Sequence, residues 1–71
     1  MNRPIKTEFK YMFDGNEYSA LYYEDEKMCV TVSTVNYGEK SDVYGVSGIL
    51  HMAEHLLREI LVDAKRNGLL R

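Results

Sequence analysis

With 71 residues the chain amounts to one small domain, and a domain of this size hides only about 60% of the surface that its unfolded form exposes. The composition, 45% hydrophobic and 28% charged with one proline, excludes an intrinsically disordered chain. A formal charge of -2 and a pI near 5.6 argue against a general binder of nucleic acid or anionic membrane, because such binders need a phosphate-neutralising excess of Lys and Arg.

In residues 5–13, Ile5, Thr7, Phe9, Tyr11 and Phe13 alternate with Lys6, Glu8, Lys10 and Met12. That period of two predicts a half-buried strand with the odd residues facing inward. Asp14-Gly15-Asn16 follows, and glycine supplies the positive φ of a tight turn. A second strand is predicted over 17–24. The acidic corner Glu24-Asp25-Glu26-Lys27 leads into a third over 28–35, rich in β-branched Val and Thr.

Register decides which face each side chain takes, since a slip of one residue reverses the whole set. A bulged loop at Gly15 would put Leu21 and Tyr23 beside Phe9 and Thr7. A two-residue turn at Asp25-Glu26 would pair Tyr23 with Met28 and Leu21 with Val30. This register sends Tyr18, Ala20, Tyr22, Cys29, Thr31, Ser33 and Val35 to the opposite face together with Met12.

Residues 36–47 hold turn formers and read as a connecting loop, long for so small a domain, whose Tyr37 and Tyr44 pack over the edge of the core. From about residue 48 to 67 the rhythm is helical. Ile49, Leu50, Ala53, Leu56, Leu57, Ile60, Leu61 and Ala64 fall on one stripe. Ser47 serves as the N-cap, and Asn67-Gly68-Leu69 as a glycine-terminated end whose next apolar residue packs back on the last turn. The expected fold is therefore α+β: a three-stranded antiparallel meander followed by one long C-terminal helix packed on one sheet face, in a single domain spanning 1–71.

Few residues carry the pattern of reactive chemistry. Cys29 is the only cysteine, so an internal disulfide and a cysteine-based metal cluster are excluded. In mid-strand, with no histidine beside it in sequence, it reads as a packing residue and not a nucleophile. His51-Met52-Ala53-Glu54-His55 has the spacing H-x-x-E-H and locally resembles the zinc site of the inverzincin metallopeptidases of the pitrilysin type. The resemblance covers fewer than ten residues. It implies zinc on His51 and His55 and a water-activating Glu54, with a further glutamate ligand from far downstream. Glu59, the one glutamate after His55, lies ~12 Å along the helix axis from His51, too far to close on the same ion. The two histidines are thus a candidate metal pair without a cofactor or a catalytic assignment and the chain reads as a non-enzyme, with a weak metal-binding or hydrolytic site at this string as an alternative.

Gly45-Val46-Ser47-Gly48 resembles part of a nucleophile elbow, but Ile49 stands at the last glycine. A β-β-β-α order looks like the double-stranded RNA-binding domain without its first helix. That family opens its last helix with lysines that grip phosphate, where Gly48-Ile49-Leu50-His51 stands here. Direct nucleic-acid binding is accordingly not expected, and no small-molecule substrate is indicated.

With one helix on a three-stranded sheet, one face stays bare. On the register above it carries Met12, Tyr18, Tyr22 and Val35, and tyrosine and methionine are enriched where proteins meet. A non-catalytic protein–protein interaction module follows, its partner another protein or a second copy of itself. Asp14, Glu17, Glu24, Asp25 and Glu26 suggest an alternative, an acidic regulator that occupies a nucleic-acid-binding protein. The opening Met1-Asn2-Arg3-Pro4-Ile5-Lys6 lacks the apolar stretch of a secretory leader, and no run approaches the ~18 apolar residues of a membrane span, so a cytoplasmic location is expected.

Overall fold

The computed structural model describes residues 5–25, 27–46 and 48–70. In chain order the elements are β1 (Thr7–Phe13), β2 (Asn16–Glu24), β3 (Cys29–Ser33), β4 (Glu39–Val43) and α1 (Ile49–Arg66). The strands form one antiparallel sheet in the order β1-β2-β3-β4, and α1 packs across one face. The fold is α+β with a C-terminal helix, as the change of rhythm implied. It has four strands and not three.

The additional strand lies inside the segment expected to be loop. Glu39-Lys40-Ser41-Asp42-Val43 has one apolar residue and no alternation, so it carries no periodic signal. Two other features hold it. The Thr34 amide and hydroxyl both donate to the Gly38 carbonyl, at 2.9 and 2.6 Å, and the Thr34 hydroxyl accepts from the Tyr37 amide at 3.0 Å. Gly38, at φ 90, turns the chain back. β4 then runs along β3 from Ser33↔Glu39 to Cys29↔Val43, with the Thr31 and Ser41 hydroxyls hydrogen-bonded at 2.7 Å.

Register corrects a second expectation. Asp14 and Gly15 both have positive φ, 55 and 82, the signature of a two-residue hairpin turn whose twist matches the flanking strands. No bulge intervenes, and Phe13 faces Asn16 directly. Phe9 therefore faces Ala20, and Thr7 faces Tyr22. This is one residue away from the expected pairing, so the whole side-chain set of β2 changes face. Tyr18, Ala20 and Tyr22 turn toward the helix, while Leu21 and Tyr23 turn away.

The β2–β3 connection also differs. Leu21 faces Ser33 and not Val30. Asp25 donates its amide to the Cys29 carbonyl at 3.0 Å, its carboxylate accepts from the amides of Lys27 and Cys29, and Met28 takes φ 59. Glu26, half of the expected two-residue turn, lies outside the described residues. Because this second displacement is also by an odd number of residues, it restores the expected faces of β3. Val30 and Val32 are inside, fully buried, and Cys29, Thr31 and Ser33 are outside.

The core is Phe9, Ala20, Val30 and Val32 from the sheet against Ala53, Leu56, Leu57, Ile60 and Leu61 from α1. Each fully buried leucine contributes on the order of 1.5–3 kcal/mol. Phe9 meets Tyr22 edge-on at 5.4 Å, and Tyr18 stands edge-on to both Phe13 and Tyr37. Tyr37 and Tyr44 pack at the margin of the core. Of the predicted stripe, Leu50 is the exception, being about half exposed.

At its C-terminal end α1 closes through Gly68 at φ 76. The Leu69 amide donates to the Ala64 carbonyl and the Gly68 amide to that of Lys65, which satisfies two carbonyls that the helix would leave orphaned. The residue that returns to the core is Leu70, not Leu69. At the other end Gly48 is the N-cap, without a side-chain capping bond. Ser47, the expected cap, lies outside the described residues.

Candidate interaction surface

Strand alternation and the one-sided helix leave a continuous uncovered sheet face. It is built from Glu8, Lys10 and Met12 of β1, Glu17, Ser19, Leu21 and Tyr23 of β2, Cys29, Thr31 and Ser33 of β3, and Glu39, Ser41 and Val43 of β4. Its middle is made of small hydroxyl side chains around Leu21. Apolar groups stand around them: Met12 is 61% exposed, Val43 60% and, just past β3, Val35 97%. Lys6 lies over the ring of Tyr23, 5.7 Å from its centroid. Charges keep to the periphery, where Lys10 and Glu17 approach to 3.9 Å. An open depression of about 410 Å³ between Glu8, Ser19, Leu21, Ser33 and Val35 gives this face its relief.

Of the four residues expected on one bare face, Met12 and Val35 are on the open side. Tyr18 and Tyr22 are not, because the two-residue turn puts both against the helix-covered core. Sequence reasoning passed over Leu21, Tyr23 and Val43, which take their place. The Asp14-Gly15 dipeptide was the available signal for the first two, since it favours the bulge-free turn that sends them outward. Val43 had no signal, because its strand had none.

His51 and His55 lie on the outer side of α1, both exposed. The His55 Nε2 is 3.8 Å from Glu59 Oε1, and Glu59 and Asp63 also flank the Lys40 ammonium at 3.9 and 3.6 Å. The shallow hollow beside them is lined by Tyr11, His51, Glu54, His55 and Arg58. Among the described residues, no three of His, Cys, Asp and Glu come close enough together to hold a metal ion.

The acidic residues that are close in sequence separate in space. Asp14 and Glu17 are at one end of β2, Glu24 and Asp25 at the other, and nine extended residues span about 25 Å. Asp14 pairs with Lys65 and Glu17 approaches Lys10. Glu24 accepts the Tyr44 hydroxyl at 2.6 Å, which holds the Tyr44 phenol above its ordinary titration range, first through that hydrogen bond, then through desolvation and the adjacent negative charge. Asp25 holds its own turn. No continuous acidic stripe results from these four.

No protein-family model, curated protein or solved structure matches this chain. Among the described residues, no helix is long and apolar enough to cross a membrane.

Proposed function

We propose that the protein is a small non-catalytic interaction module that docks another protein on the open face of its sheet. The observation that carries this reading is the arrangement of that face: Met12, Leu21, Val35 and Val43 project around a floor of Ser19, Thr31, Ser33 and Ser41, with the charged groups at the margin. What marks the face is the gathering of four large apolar side chains left exposed on one side of so small a domain, since exposed apolar groups gathered on one face are a mark of protein interaction sites. The size of the domain favours it too, because a chain of 71 residues draws only ~3 to 5 kcal/mol from its own core and gains from a bound partner by mass action.

The test is capture of a partner by the tagged protein, with nuclease present, compared with Leu21→Lys plus Val43→Lys. Both positions are exposed, so the double variant keeps the wild-type circular dichroism spectrum and loses the captured protein. Undiminished capture by a folded double variant overturns the reading.

A further inference from the structure

The two edges of the sheet are built differently. β4 has five residues, and two of them, Lys40 and Asp42, stand opposite Val32 and Val30 on the helix side. A strand added there would bring charge into its buried row, a device by which natural sheets block edge pairing. β1 has seven residues, and its helix-side row, Thr7, Phe9, Tyr11 and Phe13, carries no charge. Among the described residues, nothing pairs with its outer edge.

The turn determines which backbone groups that edge offers. In a two-residue hairpin the closing pair, here Phe13 and Asn16, is hydrogen-bonded, and bonded and non-bonded pairs then alternate along the ladder. The odd residues of β1 spend their amides and carbonyls on β2. Those of Glu8, Lys10 and Met12 point outward, so any added strand must register on them.

We propose that the occupant is β1 of a second copy of this chain, running antiparallel and centred on Phe9. A two-fold axis normal to the sheet keeps both helices on one side and sets even residues against even ones. Charge then selects among the four central registers. Centring on Glu8 opposes Glu8 to its own copy and Lys6 to Lys10. Centring on Lys10 opposes two lysines and offers Lys6 only Asp14, which Lys65 already holds, and centring on Tyr11 aims Glu8 at Asp14. Centring on Phe9 sets Glu8 against Lys10 of the second copy, and does so twice. It also brings the two Phe9 rings together and Thr7 against Tyr11, continuing the aromatic row already begun by Phe9 and Tyr22. The product is an eight-stranded sheet with two helices on one face and the open face continuous on the other. This goes beyond the docking reading: Glu8 and Lys10 border both surfaces, but the dimer is held by the β1 backbone edge and is read as mass, whereas docking is read as capture at Leu21 and Val43, so either can fail alone.

Sedimentation equilibrium on the full chain tests the proposal, the expected species having twice the 8.3 kDa chain mass. Lys10→Glu sets glutamates against each other at two symmetry-related places and weakens the dimer by about thirtyfold. Glu8→Lys does the same with lysines. The double variant Glu8→Lys plus Lys10→Glu restores the wild-type dissociation constant, which a merely structural role for either residue would not produce. Both side chains are exposed and the intrachain Lys10–Glu17 contact is long, so the fold is unaffected, as circular dichroism checks. A wild-type monomer at the highest attainable concentration overturns the proposal. So does a dimer indifferent to the single reversals, or one that the double reversal does not rescue.

Discussion

Phe13 and Asn16 face each other across Asp14-Gly15 with no bulged residue between them, and this closing pair determines which side of β2 is core. Gly15 sits at φ 82 with open space where a Cβ would project. The cost of a side chain there is thus conformational and not steric. Gly15→Ala loses about 1–2 kcal/mol, read as a fall of about 4–8 °C in Tm per kcal/mol for a domain of this size. Asp14→Asn keeps the left-handed preference and loses only the exposed pair with Lys65, so its stability falls by less than about 1 kcal/mol.

Tyr22 and Tyr23 are adjacent and chemically identical, yet the register separates them. Tyr22 packs edge-on against Phe9 in the core, whereas Tyr23 lies on the open face beneath Lys6. Tyr22→Ala leaves a void beside Phe9 and costs about 2 kcal/mol or more. Tyr23→Ala removes a surface contact and costs less than about 1 kcal/mol. Urea titration of both variants measures the difference. Equal losses, or a larger loss at Tyr23, contradict the observed β1–β2 register.

Tyr44 gives the fold a response to alkali. Its hydroxyl donates to Glu24 at 2.6 Å, and that bond, with lesser contributions from desolvation and the glutamate charge, raises its pKa above the ordinary 10.0. A group whose pKa is raised on folding stabilises the folded state fully below its unfolded value and ceases to do so as pH climbs through the folded one. The Tyr44–Glu24 contribution is accordingly intact below about pH 10 and disappears above it. Absorbance titration of wild type against Glu24→Gln isolates the effect: the variant loses the late-ionising component, and Tyr44→Phe lacks it altogether. An unchanged titration curve in Glu24→Gln would dissociate the two residues.

Much of this fold was legible where periodicity was strong. The alternation of β1, the β-branched run of β3 and the apolar stripe from Ala53 to Ala64 each named their own element, because burying one face leaves a repeating trace in sequence. β4 left none. An edge strand with exposed Glu39 and Asp42 is held by pairing to β3 and by the Thr34–Gly38 turn, and backbone hydrogen bonds carry no side-chain signature. The faces of β2 were misread for a different reason: Tyr18, Ala20, Leu21, Tyr22 and Tyr23 are all plausible core residues, so composition left the choice to the turn, and Asp14-Gly15 points to the bulge-free form. Leu21 and Tyr23 depended on that choice and Val43 on the strand that left no trace, whereas Met12 and Val35 lie on the open side as expected.

The histidine pair allows one more quantitative test. Two imidazoles one helical turn apart can share a zinc ion, but a tight site needs further ligands. Glu59 is shared among His55 and Lys40, and no third donor closes on the pair among the described residues. A site with micromolar affinity would raise stability by about 2.7 kcal/mol at a hundredfold excess of free zinc over its dissociation constant, a rise in Tm of about 10 °C or more. The expected outcome is a melting curve that moves by no more than about 1 °C at that zinc concentration, and the same curve for His51→Ala plus His55→Ala. A rise of the larger size that the double alanine variant abolishes would show that the pair does bind zinc, and the chain mass with and without zinc would then tell whether a second copy completes the site.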